Sequence, residues 1–278
     1  MDKENYIDNI LLDITSKLNI NISKDDLFFF TDGASDSIVF KLKNKYLVKA
    51  MDDITFKTQL EFLTLYSNIS YFQKIICLNT DLKYICFEFI DGECKKIIPQ
   101  ADIPQYINIL KDIVSQYKKY SNEGYGYLYE ENNNWYEFLK DEVDYSKKEF
   151  KDLNIDYEIV DYALENIKKY SIVPKLIHGD FGFHNFIINN NSFKVIDPMP
   201  VIGDYLYDFY FALLSNASVL KNLDITYILS LFENENSNKK FSLYTVVLFI
   251  RMCRCHKYDI KNFDIYLNLY NNIKKKDE

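Results

Sequence analysis

Glycine and proline are scarce in this 278-residue chain, 7 and 5 respectively, which leaves little room for flexible linkers. Tryptophan occurs once, histidine three times, and only two arginines, Arg251 and Arg254, stand among the many lysines. No apolar run approaches the roughly 20 residues of a membrane span, so a membrane partner is not expected. Five cysteines, an odd number, do not make a disulfide framework, and Cys77 and Cys86 lie inside apolar segments as reduced thiols would. The run Cys253-Arg254-Cys255-His256 lacks a second ligand pair at zinc spacing and lies in an apolar helical stretch, 241–255. Neither a Gly-x-x-x-x-Gly-Lys-Ser/Thr loop nor a Gly-x-Ser-x-Gly elbow occurs, which argues against a P-loop kinase and a serine hydrolase.

What is present is ordinary for a globular protein, 48% hydrophobic and 27% charged, and long enough for one domain or a two-part unit. The many Asn, Lys, Ile and Tyr residues fit a bias in nucleotide composition. A formal charge of −8 gives no basic footprint for nucleic acid and suits a cationic small molecule better. The N-terminus is charged and then amphipathic, with Ile7, Ile10, Leu11, Ile14 and Leu18 at helical spacing. It reads as a core-facing helix and not as a secretion signal, so a cytoplasmic protein is expected.

The densest chemistry lies in His178-Gly179-Asp180-Phe181-Gly182-Phe183-His184-Asn185 and the following Val195-Ile196-Asp197. An acid, an amide five residues on and a second acid twelve further on are the functional groups that phosphoryl transfer from a nucleotide requires. Upstream, apolar strands are expected at 27–30, 38–42 and 46–50, the first two separated by the small polar turn Thr31 to Ser37 and the last two by Lys43-Asn44-Lys45. In that turn Gly33, Ser35 and Ser37 are small enough for phosphate oxygens to approach backbone N–H groups and hydroxyls. Lys49 is a lone cation in an apolar strand. A helix is expected over 56–67, with Leu60, Leu63 and Leu65 toward the core and Glu61 as its acid.

These motifs resemble the aminoglycoside phosphotransferases, small-molecule kinases distantly related to protein kinases, over about residues 25 to 215. The family carries His-Gly-Asp where protein kinases carry His-Arg-Asp, and a bare Ile-Asp, here followed by Pro198, in place of Asp-Phe-Gly. The resemblance implies an α+β, protein-kinase-like two-lobed fold: a small antiparallel-sheet N-terminal lobe, 1–91, and a larger, mainly helical C-terminal lobe, 92–278. It implies ATP or GTP and Mg2+ as cofactors. Asp180 is expected to accept or orient the proton of a substrate hydroxyl, and Asn185 and Asp197 to bind magnesium. Lys49 would hold phosphates and Glu61 would position Lys49. The main chain of Glu88, Phe89 and Ile90 would meet the nucleobase.

Helices are expected over 102–119, 135–150 and 157–170, with a break at 121–126, and the chain ends in a lysine-rich tail. Gly203-Asp204-Tyr205-Leu206-Tyr207-Asp208 resembles the family's Gly-Asp-Pro-x-x-Asp element. Asp204 is expected as a helix N-cap and Asp208 as an anchor of the catalytic loop. Arg251 and Arg254 are expected to serve a structural carboxylate, with Asp204 and Asp208 as candidates. His178 is expected as a scaffold residue. The expected acceptor is a small-molecule alcohol, cationic and aminoglycoside-like, with Asp141, Glu142 and Asp144 as candidate ammonium ligands. The alternatives are a metabolic kinase for choline, a sugar or an amino-alcohol, and a nucleotide-binding regulator without turnover. A monomer or weak dimer is expected.

Overall fold

The computed structural model describes residues 3–30, 37–120, 124–129, 132–189 and 192–274. Gly33 and Ser35 lie outside the described residues. The chain opens with helix α1 (Lys3–Leu18), strands β1 (Leu27–Phe30), β2 (Ile38–Leu42) and β3 (Tyr46–Ala50), helix α2 (Asp53–Leu65), and strands β4 (Ile75–Asn79) and β5 (Tyr84–Glu88). Strand β6 (Glu93–Cys94), helix α3 (Ile103–Ser115), strand β7 (Gly126–Tyr127), helices α4 (Trp135–Glu149) and α5 (Glu158–Ile167) and strands β8 (Lys175–Ile177), β9 (Phe186–Asn189), β10 (Ser192–Val195) and β11 (Val201–Gly203) follow. The chain closes with helices α6 (Tyr205–Leu213), α7 (Ala217–Leu220), α8 (Ile225–Ser230), α9 (Ser237–Tyr258) and α10 (Phe263–Lys274).

Two compact units form, one of Met1–Glu93 with Ile187–Met199, the other of Cys94–Phe186 with Pro200–Glu278. The segment Ile187–Met199 thus groups with the N-terminal unit although it lies far along the chain. Its anchors explain this: Val195 N donates to Tyr71 O (2.8 Å), Asn189 Nδ2 donates to Asp91 O (2.7 Å), and Tyr71 and Phe193 meet edge to face.

The first unit is built on an antiparallel sheet in the order β1-β2-β3-β5-β4. Alternation along each strand gives the sheet two faces. Phe40, Leu42, Val48, Ala50, Tyr84 and Cys86 point one way and bury Ile10 and Ile14 of α1. The second face carries Lys49. Helix α2 starts earlier than its apolar pattern suggests, because Asp52 caps it by accepting from the amides of Ile54 and Thr55 (both 2.9 Å). Asp53 therefore lies within the helix and Glu61 is not its only acid. Its buried side is Phe56, Gln59, Phe62 and Leu63, while Leu60 and Leu65 are half-buried. Phe62 meets Tyr66 and Phe72 at ring-centroid distances of 4.7 and 5.0 Å.

The second unit is mainly helical and centred on α9, which packs against α4, α5, α6 and α10. Residues Ser242 to Cys253 of α9 are buried without interruption, so the helix is covered on all sides along that stretch. A small sheet, β7-β11-β8, carries the chain into the loop that begins at His178. Asp204 caps α6 as expected, its Oδ1 accepting from Leu206 N (3.0 Å), and its other oxygen pairs with Lys239 (2.8 Å). No helix among the described residues is long and apolar enough to cross a membrane.

Candidate active site

The candidate residues fall into one group in each unit. In the first, strand register carries Phe30, Val39, Lys49 and Ile85 into one row across β1, β2, β3 and β5, and Phe28, Lys41, Leu47 and Phe87 into the next. Lys49 is 7% exposed and pairs with the Asp197 carboxylate. The carboxamide of Gln59 also reaches Asp197, Nε2 to Oδ1 3.4 Å. Asp197 has φ +59°, the left-handed conformation that Asp tolerates better than β-branched residues. The ion pair and the carboxamide both engage Oδ1 rather than Oδ2.

Glu61 lies half-buried on α2, and Gln59 of the same helix reaches Asp197 through a neutral amide that carries no signal in sequence. Phe28 and Phe30, 57% and 43% exposed, share the face of Lys49 and form an aromatic surface beside it. Lys41 sits over both Phe28 and Phe89, 5.4 and 5.0 Å from the ring centroids. Ser37 stands half-buried just before β2. Glu88 ends β5, exposed, and the amide of Phe89 donates to Lys45 O (2.8 Å). That amide is therefore spent on the sheet, and the Phe89 carbonyl and the main chain of Glu88 and Ile90 are the groups of this segment left as candidates to face a ligand.

The second group is organised around Asp180. Its Oδ1 accepts from Arg254 Nη1 (2.9 Å), and its Oδ2 lies 2.9 Å from His184 Nε2 and 3.0 Å from Asn185 Nδ2. Burial disfavours ionisation of Asp180, but His184, Arg254 and His178 outweigh it and hold the carboxyl well below its ordinary range. Asn185 Nδ2 also donates to Asp180 O (2.9 Å). With its nitrogen turned toward Asp180, the carboxamide presents its oxygen on the other side. Asn185 in the second unit and Asp197 in the first each offer an oxygen, a hard donor of the type magnesium prefers. No cluster of three or more His, Cys, Asp or Glu side chains placed to hold a metal occurs among the described residues.

Beneath this loop lies Asp208, fully buried, which accepts from the amides of His178 (2.7 Å) and Gly179 (3.0 Å) and from the hydroxyl of Tyr117 (2.7 Å). Gly179, at φ +79°, adopts a conformation that glycine allows without cost, which lets both amides point at one carboxylate. Burial pushes the Asp208 carboxyl up to about 7, against the pull of those three donors. Gly182 answers to space rather than to φ: a Cβ there would lie 2.5 Å from His184 Cε1.

The two arginines serve partners other than Asp204 and Asp208. Arg254 serves Asp180, and Arg251 donates to Leu214 O (3.4 Å), while both guanidinium groups lie over the Phe211 ring at 4.8 and 4.6 Å. Asp204 and Asp208 take other donors. Of the three proposed ammonium ligands, Asp144 pairs with Lys140 (2.6 Å) and Asp141 is exposed. Glu142 alone turns inward, accepting from Tyr127 Oη (3.2 Å), and burial raises its carboxyl despite Arg254 and Tyr127.

No protein-family model matches the chain, and no curated protein matches it in sequence. Solved structures do match in fold. An apo thermostable mutant of aminoglycoside phosphotransferase APH(4)-Ia matches with a TM-score of 0.61 at 14% identity, over 95% of this chain and 97% of that one. The GDP complex of aminoglycoside 2'-phosphotransferase-IIIa matches with 0.54 at 13% identity, over 99% and 100%. A putative fructosamine-3-kinase from Haemophilus somnus 129PT matches with 0.60 at 12% identity, over 95% and 96%. The chain therefore has the α+β, protein-kinase-like fold that the aminoglycoside phosphotransferases share with that fructosamine-3-kinase.

Proposed function

We propose that the protein transfers the terminal phosphoryl group of ATP or GTP to a hydroxyl of a small molecule. The observation that carries this reading is the carboxylate of Asp180, fixed through both oxygens by Arg254, His184 and Asn185 on a loop anchored by Asp208. A carboxylate held in this way can align an alcohol and take its proton as the phosphorus–oxygen bond forms. Magnesium, held by Asn185 and Asp197, would neutralise phosphate charge. Lys49 would bind phosphate oxygens, with Glu61 and Gln59 on the adjoining helix positioning Lys49 and Asp197. Gly33, Ser35 and Ser37 are the candidate phosphate-binding residues, and the main chain of Glu88, Phe89 and Ile90 the candidate nucleobase contact.

Matching structures carry AMP-PNP, ADP or GDP, and hygromycin B or kanamycin, which supports a nucleotide donor and a small acceptor. We take an aminoglycoside-type antibiotic as the first acceptor class, with Glu142 as the ammonium ligand. A metabolic acceptor such as a sugar amine is the second, favoured by the likeness to the fructosamine-3-kinase. A cytoplasmic monomer or weak dimer accords with this reading.

The test is incubation with ATP or GTP, magnesium and a panel of kanamycin, gentamicin, hygromycin B, choline, a fructosamine and simple sugars, with products weighed by mass spectrometry. A phosphorylated acceptor is expected. Nucleotide binding without transfer to any of them would contradict the reading and favour a regulator.

A further inference from the structure

The sheet of the first unit holds two thiols in register. Cys77 of β4 and Cys86 of β5 are direct cross-strand partners, and Cys86 is also the partner of Val48, next to Lys49 on β3. Opposed residues of an antiparallel pair have Cα atoms about 4.5 to 5.5 Å apart. A disulfide spans about 4.4 to 6.8 Å between Cα atoms, so the register already meets its main requirement. Partners in register also share a face, here the one covered by α1. Cys86 is fully buried there with Ile10, Ile14 and Val48, and Cys77 packs at the margin, half-exposed.

The surroundings give the two thiols different roles. A hydrogen bond with Cys86 holds the Cys77 thiol below its ordinary range, against burial, with Lys17 of α1 adding to the effect and Asp13 opposing it. The same contact, with burial, pushes Cys86 far up. The more accessible thiol is thus the better nucleophile. The remaining cysteines form no such pair: Cys253 and Cys255 are two residues apart on α9 and do not face each other, and Cys94 Sγ lies against His184 O (3.1 Å).

We propose that Cys77 and Cys86 are a peroxide-responsive dithiol, with Cys77 as the attacking sulfur and Cys86 as the resolving one. The Cys77 thiolate attacks one oxygen of hydrogen peroxide. The O–O bond breaks, Cys77 becomes a sulfenic acid, and the departing hydroxide leaves as water with the proton released from the thiol. Cys86 sulfur then attacks Cys77 sulfur, the S–O bond breaks, and the Cys86 proton leaves with that hydroxide as a second water. Two thiols are oxidised by two electrons, one peroxide is reduced, and a thiol reductant reverses the change.

The test uses the full chain treated with a stoichiometric amount of hydrogen peroxide, alkylated and digested with trypsin without reduction. The expected product is residues 75–83 linked to 84–95, released by dithiothreitol, with two of the five thiols lost. Cys94→Ser should retain the link, whereas Cys77→Ser and Cys86→Ser should each abolish it, with circular dichroism verifying that each is folded. Cys77 driven to sulfinic acid while Cys86 stays reduced would overturn the proposal. A link through Cys94, or five intact thiols, would overturn it equally.

Discussion

Arg254 and Asp180 form an ion pair, Nη1 to Oδ1 2.9 Å, between residues 74 apart in sequence. Both side chains are about one quarter exposed, so the pair is only partly screened by solvent. Burial works against the guanidinium charge, yet Tyr207, Asp180, Tyr127 and Glu142 hold Arg254 above its ordinary range. Its task is geometric: it fixes one oxygen of the proposed base while His184 and Asn185 fix the other.

Arg254→Met should therefore slow transfer more than it weakens acceptor binding. A charge-assisted hydrogen bond contributes about 1.5–3 kcal/mol, or roughly 10- to 150-fold in rate. Steady-state kinetics on the acceptor identified by the panel should show kcat falling in that range, with Arg254→Lys restoring part of it. An unchanged kcat would mean that Asp180 holds its orientation without the arginine.

Gly182→Ala should act through His184. The added Cβ would overlap the imidazole, so the ring must leave Asp180. Gly182→Ala and His184→Ala should each reduce kcat, and the double variant should be no slower than the worse single one. Additive losses would show that the two residues act separately.

Asp208 sets a pH dependence of stability. Its carboxyl, ordinarily near 3.8, is raised to about 7 in the folded protein, so the folded state binds more protons. The contribution is full below the ordinary range and is lost as pH rises through about 7. Unfolding in urea from pH 4 to 8 should show wild-type stability falling relative to Asp208→Asn, by at most about 1.4 kcal/mol per pH unit. A difference that is flat with pH would show that the three hydrogen bonds keep Asp208 ionised throughout.

Gly203→Ala tests the packing beneath α6. A Cβ at Gly203 would lie 2.3 Å from Trp135 Cζ3, in a ring stacked on Phe138 at 5.1 Å. Overpacking of this kind costs about 1–3 kcal/mol. Trp135 is the chain's single tryptophan, so its fluorescence should shift along with a lowered Tm.

Strands β1 to β3 were legible to the residue, because each is a short apolar run bounded by turn residues. The motif around Asp180 was legible because acid, amide and acid, the groups phosphoryl transfer requires, stand within one short stretch. Helix ends were less so: Asp52 starts α2 one turn before its first buried apolar residue, Phe56. Tertiary partners were least legible. Arginine at position 254 stood out in a lysine-rich chain, but nothing local says that its carboxylate lies 74 residues earlier. Gln59 could not be found at all, since a neutral amide among apolar residues looks like any helix position.

The most direct measurement is single-turnover transfer by Asp180→Asn, alongside its nucleotide affinity. Asparagine keeps the shape of the side chain and removes the proton acceptor. Transfer should fall by roughly 10²-fold or more, the usual range for a positioned acid–base group, while the nucleotide Kd stays within about twofold. Transfer at the wild-type rate would contradict the assignment of Asp180 and, with it, the proposed chemistry.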